Sequence, residues 1–234
     1  MALGACAQKT YVVCVGLVNN DTGEKPLPCS ERDVRGVADF FKSYNGSEVF
    51  MLIDKNATRE HILRVLRAQF NKAQAGDEII FVYSGHGFDG GVTCYDLKAG
   101  NVIYCSEIQD IMKESRASRK CMFVMSCHSG SFTKKYSTVR DKRRNINKKS
   151  NIMLYLSSRA SESSWEPVYG KYSFFMGNLI DALKGAADKN RDNLITAREL
   201  FNYVNAHVIS DTQGAQHPQM WGKFDNDMVV VKVK

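Results

Sequence analysis

Two short segments carry residue types that could do chemistry together: Tyr83-Ser84-Gly85-His86-Gly87 and Ser126-Cys127-His128-Ser129-Gly130. A thiol attacks as its thiolate, so a reactive cysteine needs a base beside it. An imidazole within hydrogen-bond reach can take the proton and later return it to a leaving amine. The glycines flanking His86 and Cys127 let backbone N–H groups approach a tetrahedral oxyanion with no side chain in the way. Taken singly, such a histidine is commonly a hydrogen-bonding structural residue and a strand-end cysteine is commonly inert. Taken jointly, with the glycines and their positions after strands, they read as a Cys/His dyad for nucleophilic catalysis. His61, His128, His207 and His217 read as structural or exposed.

The elements around these segments alternate. Residues 9–16, 47–53, 78–83, 120–126, 152–157 and 227–232 have the apolar, β-branched profile of strands. Between them, Val34, Val37, Ala38 and Phe41 recur at helical spacing after a capping Ser30. Ile62, Val65, Leu66 and Phe70 do the same after Thr58, in a helix running to about residue 74. Further helices are predicted over 105–115, 172–186 and 197–209. This order predicts an α/β fold: a three-layer α/β/α sandwich around a mostly parallel six-stranded sheet. Functional groups of such sheets gather at the carboxyl ends of the strands. His86 directly follows the third strand and Cys127 the fourth, so adjacent parallel strands would bring them together.

With 234 residues, 44% hydrophobic and 24% charged, the composition is that of a globular chain rather than a disordered or fibrous one. No apolar run approaches the roughly 18 to 20 residues that span a bilayer. The formal charge of +7 raises a nucleic-acid partner, but it has one address. Lys134, Lys135, Arg140, Lys142, Arg143, Arg144, Lys148 and Lys149 stand against Asp141 alone, and everything outside residues 134–149 is formally neutral. The segment has Tyr136 as its only aromatic and no recognised module, so no nucleic-acid partner is expected. Seven cysteines form no C-x-x-C pair; the odd count argues against a full disulfide framework and leaves room for one reactive thiol. The tail, residues 1–9, contains Leu3-Gly4-Ala5-Cys6-Ala7, like the end of an export signal, which predicts a secreted or cell-envelope protein, with a cytoplasmic one as the alternative.

The two segments resemble the histidine and cysteine motifs of the caspase and metacaspase superfamily of cysteine peptidases, the second lacking the usual leading Asp. The likeness runs from Tyr11 to about Val231 and implies a caspase-like fold. It divides the catalytic domain into a large-subunit-like part (10–133), a basic linker (134–150) and a small-subunit-like part (151–234). It implies His86 as base, Cys127 as nucleophile, the backbone of Gly87 and Cys127 as oxyanion hole, and hydrolysis of peptide or protein substrates without a cofactor.

The resemblance also places a substrate-contacting set: Asp33, Ser84, Met125, Ser164, Trp165 and Glu166. Asp33 falls where metacaspases receive a basic P1 side chain. Glu166 stands where the Ser-Trp-Arg segment of caspases carries an arginine for acidic P1, so the sign is inverted and cleavage after Arg or Lys is predicted. Met125 replaces a second pocket Asp and makes the pocket less acidic. Trp165 or Trp221 could line subsites. The linker's eight basic residues then become candidate autocleavage sites, or a solvated basic loop.

No metal is expected: where metacaspases cluster acids for calcium, this chain has Cys105-Ser106 and Lys134. Asp188 to Glu199 has EF-hand spacing but also reads as an Asx turn before a capped helix. Pairing of two copies through the last strand is left open, since Lys232 and Lys234 would guard that edge. The alternatives are a catalytically silent caspase-like interaction module, or a clostripain-like peptidase with the same dyad.

Overall fold

Residues 10–16, 78–84, 119–125 and 152–156 are dominated by Val, Ile, Phe, Met and Leu, as a strand covered on both faces requires. In the computed structural model, which describes residues 8–44, 46–127, 129–130, 152–167, 169–222 and 224–233, these runs are the inner strands of one sheet. Residues 1–7 of the tail, with Cys6, the basic segment 134–149 and His128 lie outside the described residues.

The order is β1 (Thr10–Gly16), α1 (Ser30–Ser43), β2 (Ser47–Ile53), α2 (Arg59–Phe70), β3 (Glu78–Ser84), β4 (Gly87–Phe88), β5 (Gly91–Thr93), β6 (Val102–Tyr104), α3 (Cys105–Glu114) and β7 (Arg119–Met125). Then follow β8 (Ile152–Leu156), α4 (Phe174–Asp181), a π-helical turn (Ala182–Ala186), β9 (Leu194–Thr196), α5 (Ala197–Asp211), β10 (Gln219–Trp221) and β11 (Val229–Lys232). The six-stranded sheet runs β10-β8-β7-β3-β1-β2, parallel except for β10. Side chains alternate along each strand. Tyr11, Val13, Ile79 and Phe81 pack on one face with Ile62, Leu66 and Phe70 of α2 and Ile108 of α3. Val12, Cys14, Ile80, Val82 and Phe123 pack on the other with Val37 and Phe41 of α1, Leu179 of α4 and Leu200 of α5. This is the expected three-layer α/β/α sandwich.

Three expectations are corrected. The strand expected at 227–232 is not the sixth of the main sheet: β11 pairs with β9 in a separate ribbon, and β10 takes the edge. Branched side chains favour a strand locally, but they do not choose its partner. Ser30 is not the cap of α1; Cys29 is, with no side-chain hydrogen bond to a backbone N–H of the helix, and Ser30 is buried in the first turn. The helices expected to reach residues 74 and 186 stop at Phe70 and Asp181, the latter passing into a π turn in which Gly185 adopts φ 120°. The small sheet β4-β5-β6, directly after His86, has no counterpart in the sequence reading. Among the described residues no helix is long and apolar enough to cross a membrane.

Layering makes core and edge aromatics unequal. Phe41, fully buried under the sheet, should cost about 3–5 kcal/mol of unfolding free energy when replaced by Ala. Phe50, 41% exposed on edge strand β2, should cost under about 1 kcal/mol. Urea titration of both variants checks this, and comparable losses would contradict the packing.

Candidate active site

The site is built where β3 and β7 end. They pair in parallel with Ser84 opposite Met125, and the ladder continues by one bond, Gly85 N–H donating to the Met125 carbonyl at 3.1 Å. His86 and Cys127 therefore lie at the same offset, two residues beyond a matched pair. The two loops touch: a Cβ built on Gly87 would lie 2.7 Å from Ser126 Oγ and 2.8 Å from the Cys127 carbonyl oxygen. Only glycine allows that approach, and any side chain at 87 would push the histidine and cysteine loops apart.

Three donors hold the His86 backbone carbonyl: the Tyr83 hydroxyl at 2.7 Å, Thr93 N–H at 3.1 Å and the Thr93 hydroxyl at 3.1 Å. Burial pushes the Tyr83 phenol up, so it remains a donor. The hairpin β4–β5 supplies Thr93, which gives the small sheet its purpose. The imidazole is oriented from elsewhere: Nε2 lies 2.8 Å from the Lys25 carbonyl in the loop before α1. A carbonyl only accepts, so the neutral ring carries its proton on Nε2 and keeps the Nδ1 lone pair as base.

Burial separates Cys127 from the other described cysteines. Cys14, Cys29, Cys94, Cys105 and Cys121 are all buried, whereas Cys127 is half-exposed. Desolvation pushes the thiols of Cys14, Cys94 and Cys105 up to about 12, and those of Cys29 and Cys121 are also raised, chiefly by burial. These thiols are held neutral in the core, where they are inert.

Asp33, in the first turn of α1, is fully buried. Its Oδ2 accepts from the Ser84 hydroxyl and its Oδ1 from Ser173 N–H, each at 2.8 Å. Burial raises it to about 7, opposed by these hydrogen bonds and reinforced by the charge of Glu166. Glu166 is raised too, mainly by burial. The Cys29 N–H donates to it, and the charges of Arg32, His86 and Lys25 favour its ionised form. A carboxylate at the start of α1 is favoured by the helix dipole. It also supplies from a distant segment the acceptor that a local cap does not.

The structure thus brings His86, Gly87 and Cys127 together, and gathers Asp33, Ser84 and Glu166 around the start of α1. Met125 is 5% exposed and packs in the core with α1 and α4. The Ser164 hydroxyl donates to the Ser126 carbonyl at 2.9 Å. Trp165 is half-exposed, its backbone N–H donating to Gln216 Oε1 at 2.9 Å, and it walls a cavity of about 210 Å³ with Phe174 and Gln213. Trp221 is exposed on β10. At the EF-hand-like loop the Asp188 carboxylate accepts from Asp192 N–H and Asn193 N–H, and Glu199 caps α5 by accepting from Thr196. Asn190 and Asp192 make Asx turns, accepting from Asp192 N–H and Leu194 N–H, so the acids of this loop serve turns and a capping box. Among the described residues no three His, Cys, Asp or Glu side chains are grouped to hold a metal. Sequence reading missed Tyr83, Thr93 and Lys25 as supports; Lys25 acts through its backbone, which leaves no side-chain signal.

Residues 12–229 match the model of the caspase domain family. No curated protein matches the chain. Among solved structures, a crystal structure of a protein from Geobacter sulfurreducens is similar, with a TM-score of 0.68 at 18% identity over 97% of this chain and 100% of that one; at that identity the likeness is one of fold.

Asp33 also makes stability depend on pH. Its folded value lies above its unfolded one, so the stability contributed by the protonated form is complete below about 4 and is lost as pH rises through about 7. Asp33→Asn, which cannot ionise, should lose less thermal stability than wild type between pH 4 and 7.5. Parallel melting curves would show the carboxyl is not buried as described.

Proposed function

This chain belongs to the caspase-domain family of cysteine peptidases, and we propose that it is a cysteine endopeptidase with a His86/Cys127 dyad that cleaves after Arg or Lys. The observation that carries the dyad is the in-register end of β3 and β7, with Gly87 lying against the Cys127 backbone. Nδ1 of His86 takes the Cys127 proton as Sγ attacks the scissile carbonyl. The N–H groups of Gly87 and Cys127 receive the oxyanion, and the imidazolium protonates the departing amine. Water then attacks the acyl-enzyme, with the same ring as base.

Selectivity for a basic P1 residue is supported by Asp33 and Glu166, two acids at the start of α1 with the Glu166 charge near His86. Autoprocessing within residues 134–149 follows from the same preference, because the linker offers eight basic P1 residues.

Fluorogenic peptides with Arg, Lys or Asp at P1 test the reading. Arg and Lys peptides should be turned over, Cys127→Ala should lose at least about a thousandfold in rate, and turnover of the Asp peptide alone would overturn the specificity. Glu166→Gln should raise KM for the Arg peptide about tenfold. As Asp33 gains its proton below about 7, KM for that peptide should rise from pH 8 to pH 6, and Asp33→Asn should abolish the dependence. For the linker, wild type should acquire a new N-terminus within 134–149 on incubation and Cys127→Ala should not; identical cleavage of both would exclude autolysis.

A further inference from the structure

Behind the nucleophile lies a cluster of serine hydroxyls. The Ser126 carbonyl accepts from Ser164 Oγ at 2.9 Å, with Ser157 Oγ 3.1 Å away and free to donate its single proton to Ser164 Oγ. The Ser126 N–H donates to Ser157 Oγ at 3.1 Å, and the Ser157 and Ser164 hydroxyls lie 2.6 Å apart. Ser129 and Ser158 close the cluster: Ser129 Oγ lies 3.2 Å from Ser157 Oγ and accepts from Ser158 N–H at 3.1 Å. Ser157 is fully buried, and Ser164 precedes Trp165 and Glu166 on the segment that reaches the start of α1. Three hydroxyls, Ser164 Oγ, Ser157 Oγ and Ser158 Oγ at 3.5 Å, thus converge on one carbonyl oxygen.

The carbonyl they hold is half of a particular peptide unit, whose other half is the Cys127 N–H. The unit is planar and trans, so a carbonyl fixed in direction fixes the N–H on the opposite side. Hydrogen bonds accepted by the oxygen also polarise the unit and make its N–H a stronger donor. We propose that Ser164 and Ser157 are positioning residues that aim and strengthen the Cys127 N–H as an oxyanion donor, acting through the Ser126 carbonyl. The inference rests on the peptidase reading above and gives Ser164, in addition to the substrate contact that the resemblance implies, a role through the backbone that Ser157 shares. It also ties the Glu166 segment to the nucleophile, since Ser164 and Glu166 are two residues apart.

The test compares two reactions of the same thiolate. Hydrolysis and the hemithioacetal formed with a peptide aldehyde both place developing negative charge on an oxygen. Alkylation by iodoacetamide forms the S–C bond as iodide leaves and places none there. Ser164→Ala should lower kcat and aldehyde affinity by about tenfold while the rate of carbamidomethylation at Cys127, read by peptide mass, stays within about twofold. Ser164→Thr, which keeps the hydroxyl, should restore both, and Ser157→Ala should repeat the pattern. A parallel fall in alkylation would make the serines structural supports only, and unchanged aldehyde affinity would remove the coupling; either overturns the proposal. A wild-type protein alkylated at Cys127 that binds no aldehyde would instead overturn the peptidase reading, and this inference with it.

Discussion

The parallel pairing of β3 with β7 is the constraint on which the site depends. Both strands are buried on both faces and flanked by neighbours, so a slip of one residue would turn every side chain to the wrong layer. That penalty, spread over seven matched pairs, holds Ser84 opposite Met125. The loops inherit the register. The histidine and cysteine loops need no device of their own to lie side by side, only a glycine at 87 that lets the backbones close, while the His86 ring is held by the Lys25 carbonyl.

Around this fixed point the fold places groups of opposite need. The Cys127 thiol is left half-exposed at a strand end, while the five other described cysteines are sealed in the core, where desolvation keeps them neutral. The acids are treated the other way. Asp33 is buried with two donors, so its charge is costly and conditional, while Glu166 sits at the start of α1 where the helix favours it. Helix α1 is therefore a junction: its apolar face anchors it to the sheet through Val34, Val37 and Phe41, its first turn carries the buried Asp33, and its start receives Glu166, whose charge lies near that of His86.

Much of the architecture was legible because its causes are local. Periodicity located the four inner strands, the edge strand β2 and the main helices, and Thr58 does cap α2, accepting from His61 N–H. Where causes were not local the reading failed. The Val-rich segment 229–232 is a strand, but its partner is β9 and the main sheet's edge went to β10. Cys29 opens α1 without a side-chain cap because the acceptor arrives from residue 166.

The same division holds for the site. The sequence alone determined which residues could react, since a thiol and an imidazole framed by glycines after consecutive strands are chemical facts of composition and order. It determined too that the net charge resides in one segment. Tertiary structure alone decided what each group experiences: that His86 is turned by a lysine's backbone, that Asp33 is covered, and that Ser164 holds the Ser126 carbonyl. Those outcomes depend on backbone carbonyls and on burial. A carbonyl is the same in every residue, and burial is a property of the assembled chain, so neither leaves a mark on the order of side chains.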